Sequence, residues 1–467
     1  MRFRYKSVLK VLAVASLMMS SCEGFLKEEP FESQTELNAF KSVEDVEKAL
    51  IGAYNTLTDF DGDYLHYSMT IPEMMADNLY NTPSTGGGTV LIFGNFNFSV
   101  ASGGLENAWL NGYTLIDRVN FTLAKLALFE GTNEGLEAKI KGEALVLRAM
   151  GHFDLLKNFG VSMERNFNEA DSGIPVMLAS EISSPARNTV KEVYDQIFKD
   201  LEQAVLLLDG KNTGDVFRFN ANTARALAAR VALYAGDYEN AAKYADAVID
   251  SKATMLSDIN SFSSIWEIGD HSDEVLFKVF AKDGDSYFSG YFAPNTAGIL
   301  KRPSPELFDL YEEADVRKGA YLMDDADLGQ VVVKYKGEAE NEQRSIEVIR
   351  MGEIYLISAE ANFRIGNTAE ALESFNALRS NRIEGVTDVT TLDEDMILEE
   401  RRRELAFEGH RFYDLKRLGL NLDRTAMADQ PKVTVDALPA GSKYWIFPIP
   451  NRELVVNSNL KQSSKWQ

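Results

Sequence analysis

The sequence predicts a mainly α-helical chain of paired helices, interrupted by two long irregular loops. Three observations carry that prediction. Apolar residues recur at helical spacing over long stretches, two segments match each other across a Gly turn, and two further stretches rich in Gly, Asn, Ser and aromatic residues hold no period. One run, "GQVVVKY" from Gly329 to Tyr335, is strand-like, and it is too short to found a sheet on.

The first element is a leader. Arg2, Arg4, Lys6 and Lys10 stand without an acid before Val11 to Met19, an apolar run well short of the roughly 20 residues a membrane-spanning helix needs. Ser20 and Ser21 precede Cys22, the only cysteine of the chain, at the point where a bacterial lipoprotein signal peptidase would cut. The cysteine would then become an acylated N-terminus. Two or more acyl chains hold a protein at a membrane, because each buried CH₂ adds about 0.8 kcal/mol. Residues 1–21 are thus expected to be a signal peptide and Cys22 the lipidation site.

Composition bounds the remainder. Without a second cysteine no disulfide can form within the chain, so stability must come from a hydrophobic core. The formal charge is −23, and loss of the four basic leader residues takes it to −27. A surface of that sign repels nucleic acid and anionic lipid, and neither is expected as a partner.

Helices follow in order. "ENAWLNGYTLIDRVNFTLAKL" is a helical pattern with Trp109, Leu110 and Tyr113 on one face. In "KIKGEALVLRAMGHFDLLKNFG", Ile140, Ala144, Leu147, Met150 or Gly151, and Leu155 form a face that Gly160 closes. In "TVKEVYDQIFKDLEQAVLLL", Thr189 is placed to cap a helix whose face is Val190, Val193, Ile197, Leu201 and Ala204. The segment Ala226 to Ile249 aligns with Leu356 to Arg379, Gly236 on Gly366, Ala241 on Ala371 and Ala245 on Phe375. Each reads as helix, Gly-Asp or Gly-Asn turn, and helix, with the chemistry of a tetratricopeptide-type hairpin. The two loop stretches run from Asp59 to Gly104 and from Ser257 to Arg302, and loops that long inside a compact chain are usually functional.

Enzyme readings find no support. His66, His152, His271 and His410 make no HExxH pattern, no GxSxG elbow occurs, and the Gly86 to Gly88 run lacks the Lys and Ser/Thr of a phosphate loop. With 71 acidic residues, some carboxylate pair at glycosidase separation must exist by chance. No catalytic residue is assigned.

The carboxyl end is specific. "RRRELAFEGHRFYDLKRLG", Arg401 to Gly419, followed by "WIFPIPNRELVVNSNLKQ", resembles the closing signature of the SusD/RagB family of outer-membrane nutrient-binding lipoproteins of Bacteroidota. The matching positions are Arg401 or Arg402, Glu404 to Gly409, Arg411, Asp414, Leu415, Arg417, Trp445, and Pro448 to Pro450. "SCEGFLKEEP", "EALVLRAMGHFDLLKNFG" and "VYDQIFKDLEQA" resemble the family's mature start and first helical pairs, so the resemblance spans essentially the whole chain. It departs mildly: Ser458 stands where the family often has Pro, and the closing Gly-Tyr is absent. Within the signature, Glu399 and Arg403 four apart and Glu408 and Arg411 three apart suit ion pairing, and Leu405 and Phe407 suit apolar contact, so the motif is expected to be structural.

The resemblance implies a mainly α SusD-like fold with little β, in which four scattered tetratricopeptide-like hairpins support a long-loop ligand-binding face. It implies one SusD-like domain over 22–467, with an amino-terminal part 22–230 and a carboxyl-terminal part 270–467. It also implies capture of an oligosaccharide, or of a peptide in some members, for a TonB-dependent, SusC-like outer-membrane transporter. Lys27, Glu28 and Glu29 are similar to the acidic signal that directs such lipoproteins to the outer face of the outer membrane. A protein-binding surface scaffold is the reading from a different class.

For a sugar ligand, aromatic faces pack on ring C–H groups and amides or carboxylates meet hydroxyls. The first loop offers Tyr64, Tyr67, Tyr80, Phe96 and Phe98 with Asp77, Asn78, Asn81 and Asn95; the second offers Trp266, Tyr287, Tyr291 and Phe292 with Asp283, Asp285 and Asn295. Trp266, Tyr287 and Tyr291 rank first, because in the family this region supplies ring-stacking residues. A calcium ion would find oxygen at Asp61, Asp63, Asp283 or Asp285, but the spacing matches no established calcium loop, so no metal or cofactor is assigned.

Overall fold

The computed structural model describes residues 39–58, 64–82, 88–211, 214–267, 273–280, 291–292, 294, 299, 301–335, 345–424 and 435–467. The expected signal peptide, Cys22 and Lys27 to Glu29 lie outside the described residues, as do Tyr287, Asp283, Asp285, Asn295, Asp61 and Asp63.

The longer helices are α1 (Val43–Tyr54), α2 (Gly103–Leu126), α3 (Glu134–Phe159), α4 (Val190–Leu208), α5 (Ala221–Tyr234), α6 (Tyr238–Ser251), α7 (Met351–Ile365), α8 (Thr368–Ser380), α9 (Glu394–Glu404) and α10 (Arg411–Arg417). From α1 to α8 each packs on the next, and α9 lies against α7. Helix α3 is the centre of this array. Every residue from Gly142 to Phe159 is buried, so it is covered all round and not on one stripe. Its crossing with α2 is close because small residues face large ones: a Cβ added at Gly112 would lie 2.6 Å from Leu155, and one at Gly151 2.9 Å from Ile116. On α2, Trp109 is buried and Tyr113 packs beside it at 4.9 Å between ring centroids. Leu110, expected on the same face, is instead 40% exposed, because the buried stripe runs through Ala108, Trp109, Gly112 and Ile116.

Local signals held where side chain meets backbone. Thr189 caps α4 in a full capping box with Glu192, and the five predicted face residues are all buried. The two matched segments are helical hairpins. Gly236 and Gly366 both take a positive φ (69° and 87°) that glycine tolerates without strain, and Ala241, Ala371, Ala245 and Phe375 are buried at the contacts. Although far apart in sequence, the hairpins are neighbours, since α6 packs on α7.

Sheet structure is confined to four two-stranded antiparallel ladders among the described residues. Strand β1 (Leu79–Asn81) pairs with β3 (Lys301–Pro303), β2 (Val275–Val279) with β6 (Ile346–Arg350), β4 (Leu322–Asp325) with β5 (Gly329–Val332), and β7 (Leu422–Asp423) with β8 (Ala437–Leu438). The strand-like run at Gly329 is one arm of the β4–β5 hairpin.

The carboxyl-terminal signature builds a buried ionic core. Glu404 meets Arg317 at 2.9 Å and Arg382 at 3.1 Å and also bonds Arg350, all four side chains being at most 1% exposed. Glu274 bridges Arg350 and Arg382 at 3.0 and 2.7 Å, and Glu408 takes Arg350 and Lys334, both at 2.7 Å. Arg401 and Arg417 share Asp414. The Glu399–Arg403 pair forms as expected, but Glu408 does not pair with Arg411, because burial gives it two cations, Arg350 at the end of β6 and Lys334 just after β5, while Arg411 turns to Asp77. Phe407 is fully buried with φ 71°, and Gly409, at φ 81°, sits against the Met69 backbone so closely that a Cβ would lie 2.6 Å from its Cα. The signature therefore knots the last helices to the first loop.

Candidate functional site

The two predicted loop regions meet. The β1–β3 ladder sets Leu79 opposite Pro303, Tyr80 opposite Arg302 and Asn81 opposite Lys301, and Ser304 N–H donates to the Asn78 carbonyl at 2.8 Å. Thr82 Oγ1 donates to the Ile299 carbonyl, and the Tyr291 ring lies 4.7 Å from that of His66. Arg302 reaches the Gln330 carbonyl at 2.8 Å, so the β4–β5 hairpin buttresses this junction from behind.

The candidates divide sharply within it. Tyr80 and Tyr291 are half-buried and keep part of their surface open. Tyr64 is buried, and its hydroxyl donates to Asp154 at 2.6 Å; Tyr67 packs edge-on to His66 and Phe93. Phe96 lies under the Arg424 guanidinium at 5.1 Å, and Phe98 and Phe292 are in the core. Trp266 is 4% exposed, boxed by Tyr321 and Tyr335, with Lys334 Nζ 4.2 Å above its ring, so it roofs the buried ionic core. Asp77 accepts from Nε and Nη2 of Arg411, each at 2.9 Å, Asn78 accepts from Arg402 and donates to Glu73, and Asn81 accepts from Lys301. The backbone of Asn95 closes the short helix Thr89–Gly94. Asp77 and Asn78 thus fasten the loop to the signature, and Asn81 fastens it to β3.

The electrostatics have the same cause throughout, which is burial. Desolvation pushes the Glu73 carboxyl up to about 7, with Asn78 and Gly409 N–H opposing it. It lowers Lys301 to about 7, aided by Arg424, and His66 to about 4, so His66 is neutral at physiological pH. Burial opposes ionisation of Asp77 too, but the hydrogen bonds and charge of Arg411 outweigh it and hold that carboxyl low. Among the described residues no group of three or more His, Cys, Asp or Glu could hold a metal ion, and no helix is long and apolar enough to cross a membrane.

Sequence reasoning missed an open cleft of about 690 Å³. It lies between the segment entering α5, the segment leaving α6 and the start of β2, and is lined by Asp215, Asn220, Thr254, Met255, Ser257 and Asp273 among others. Its residues come from separate parts of the chain, and no spacing within one segment reveals them.

Comparison with known proteins agrees with this architecture. The SusD family model matches residues 302–466, and a SusD-like model described as starch-binding associating with outer membrane matches residues 25–233. The chain belongs to the SusD family. SusD-like proteins are carbohydrate-binding proteins and not enzymes, and the family is associated with the outer membrane. SusD-like protein P38 of Formosa agariphila is 24% identical over 535 residues, spanning 99% of both chains, and SusD-like protein P2 of that organism is 26% identical over 517 residues, spanning 98% of both. The starch-binding protein SusD of Bacteroides thetaiotaomicron is 31% identical over a shorter stretch of 122 residues, 26% of this chain and 22% of that one. Among solved structures, a putative sugar binding protein from Bacteroides vulgatus superposes with a TM-score of 0.82 at 25% identity, over 92% of this chain and all of that one. A SusD superfamily protein from B. thetaiotaomicron gives 0.81 at 23% identity, covering 90% and 99%. The mainly helical SusD fold is thereby established.

Proposed function

We propose that this protein is a cell-surface lipoprotein, acylated at Cys22, that captures oligosaccharide on the face where its two long loops meet and delivers it to a TonB-dependent, SusC-like transporter. The observation that carries this reading is the convergence itself: the β1–β3 ladder and the His66–Tyr291 contact bring the two loops together, and Tyr80 and Tyr291 are the partly open aromatics of the candidate set among the described residues. Tyr287, Asp283 and Asn295 belong to the same stretch of sequence as Tyr291 and complete the proposed set. Family membership supports the class of ligand, and the leader and Cys22 support the anchor. A half-buried tyrosine loses little side-chain entropy on binding and presents a flat apolar face with a polar tip, which is what a pyranose needs.

The test is electrophoresis through gels containing plant, host or microbial polysaccharides. Wild-type protein is retarded by one polysaccharide class, and the Tyr80→Ala/Tyr291→Ala variant migrates as in a plain gel. Retardation that survives the double substitution contradicts the assignment of the face. Cys22→Ala should in turn release the protein from the membrane fraction.

A further inference from the structure

The cleft of about 690 Å³ takes no part in the loop junction, yet its size falls in the range of ligand sites, about 300–1,000 Å³. Its floor is prepared. Ser257 is fixed through its backbone on both sides, its N–H donating to Glu274 at 3.0 Å and its carbonyl accepting from Arg382 at 2.9 Å, so the ionic core holds it in place. Its side-chain hydroxyl is buried, the residue being 6% exposed, and makes no hydrogen bond among the described residues. A buried hydroxyl left in that state costs about 1–3 kcal/mol, which a ligand hydroxyl would relieve.

The walls define the chemistry. Asn220, Thr254 and Asn381 supply amides and a hydroxyl, while Met255, 69% exposed, and Val275 and Leu276 supply an apolar surface. Asp215, Asp258 and Asp273 stand at the exposed rim, and among the described residues no Lys, Arg or His lines the cleft. An anionic ligand would therefore meet carboxylates without a cation to receive it. A strongly cationic ligand would find its deepest carboxylate, Glu274, already held by Arg350 and Arg382. An uncharged polyol, with hydroxyls on its edges and C–H groups on its faces, satisfies both sets of groups.

We propose that this cleft is a second glycan subsite selective for uncharged oligosaccharides, with the Ser257 hydroxyl bonding a sugar hydroxyl and Met255 covering a ring face. The proposal rests on the reading of the protein as a glycan-capture lipoprotein, and adds to it a second point of attachment and a charge preference. Two points of attachment on one chain raise the residence time of a long glycan without any new contact at either.

The experiment is calorimetric titration of the mature chain with maltohexaose, xylohexaose and mannohexaose, with hexagalacturonate and hexalysine as the charged probes. The variants are Ser257→Ala, Met255→Asp at the exposed wall, and Tyr291→Ala at the loop junction, each checked for a melting temperature close to that of the wild type. The expected result is two sites per chain for a neutral hexasaccharide. Ser257→Ala and Met255→Asp should each weaken one of them about tenfold or more, roughly 1.4 kcal/mol, while Tyr291→Ala weakens the other. One site lost in Tyr291→Ala and indifferent to both cleft variants overturns the second subsite and leaves the capture reading standing. Sites lost only in the cleft variants support the subsite and move capture away from the loop junction. Cleft-dependent binding of hexagalacturonate or hexalysine overturns the preference for uncharged ligands; silence toward all three neutral probes overturns the second subsite, and silence toward hexagalacturonate as well counts against the capture reading.

Discussion

Glu404→Gln is the substitution that most directly probes how the signature holds this fold. The carboxylate of Glu404 is fully buried and shared among Arg317, Arg350 and Arg382, each of which is equally buried. Burial alone would raise its pKa, but the three guanidinium charges, Arg382 foremost, hold it well below the ordinary carboxylate range. Glutamine keeps the shape and removes the charge, leaving three desolvated cations to share Glu274, Asp315, Glu400 and Glu408. Breaking a buried pair in this way costs about 3–5 kcal/mol. At an unfolding entropy of about 2.1 cal/mol/K per residue, a chain of this length loses about 3–5 °C in melting temperature. Differential scanning calorimetry at pH 7 measures the shift. Glu399→Gln is the control, since Glu399 is half exposed and bonds only Arg403 among the contacts described above, and surface pairs contribute about 0–1 kcal/mol. A Glu404→Gln shift below about 1 °C, or one equal to that of the control, would refute the ionic-core argument.

Other outcomes follow from the same packing. Gly409→Ala combines a positive φ with a Cβ pressed on the Met69 backbone, which cannot yield as a side chain can; it should destabilise by several kcal/mol, about 3 or more, whereas Gly366→Ala, with open space around its Cβ, should cost about 1–2, as denaturant titration would show. Trp266→Ala should lower stability by about 3–5 kcal/mol through loss of a buried ring, while Tyr80→Ala and Tyr291→Ala, at half-buried positions, cost clearly less, about 1 kcal/mol each; the reverse order would mean that Trp266 faces ligand. For pH, the sign differs between groups. Glu73, raised to about 7 by burial, contributes stability that is fully present below about 4.5 and lost as pH rises to about 7, a change of about 3 kcal/mol that a Glu73→Gln variant should flatten in a melting-temperature series. Glu404, Glu408 and Asp414, held low, contribute stability that is present above the ordinary carboxylate range and lost only as pH falls below it, so the protein should tolerate pH 5 and unfold in stronger acid.

What the sequence disclosed was whatever rests on near neighbours. The Thr189 capping box, the Gly236 and Gly366 turns and the Glu399–Arg403 pair are all set within a few residues of one another, and spacing alone locates them. The Asp77–Arg411, Glu404–Arg317 and Asn81–Lys301 contacts join residues between 87 and 334 positions apart, and periodicity carries no trace of them. The same limit explains why loop polarity was a poor guide to the site. Asp77, Asn78 and Asn81 have the residue types of a sugar site, yet each is occupied in fastening its loop to the signature or to β3. Tyr64 and Trp266 have the aromatic faces of one, yet their rings are enclosed by α3 and the ionic core. That two unpatterned stretches 150 residues or more apart should share one junction was implied by family resemblance and not by composition; the β1–β3 ladder is its physical basis.

The measurement that bears most directly on glycan capture is isothermal titration calorimetry of the chain from Glu23 onward against plant, host and microbial oligosaccharides. Saturable heat with one class, lost in Tyr80→Ala/Tyr291→Ala at a melting temperature close to that of the wild type, is the predicted result. Undiminished binding in that variant, or silence across the oligosaccharides with heat from a parallel set of peptides, would contradict it.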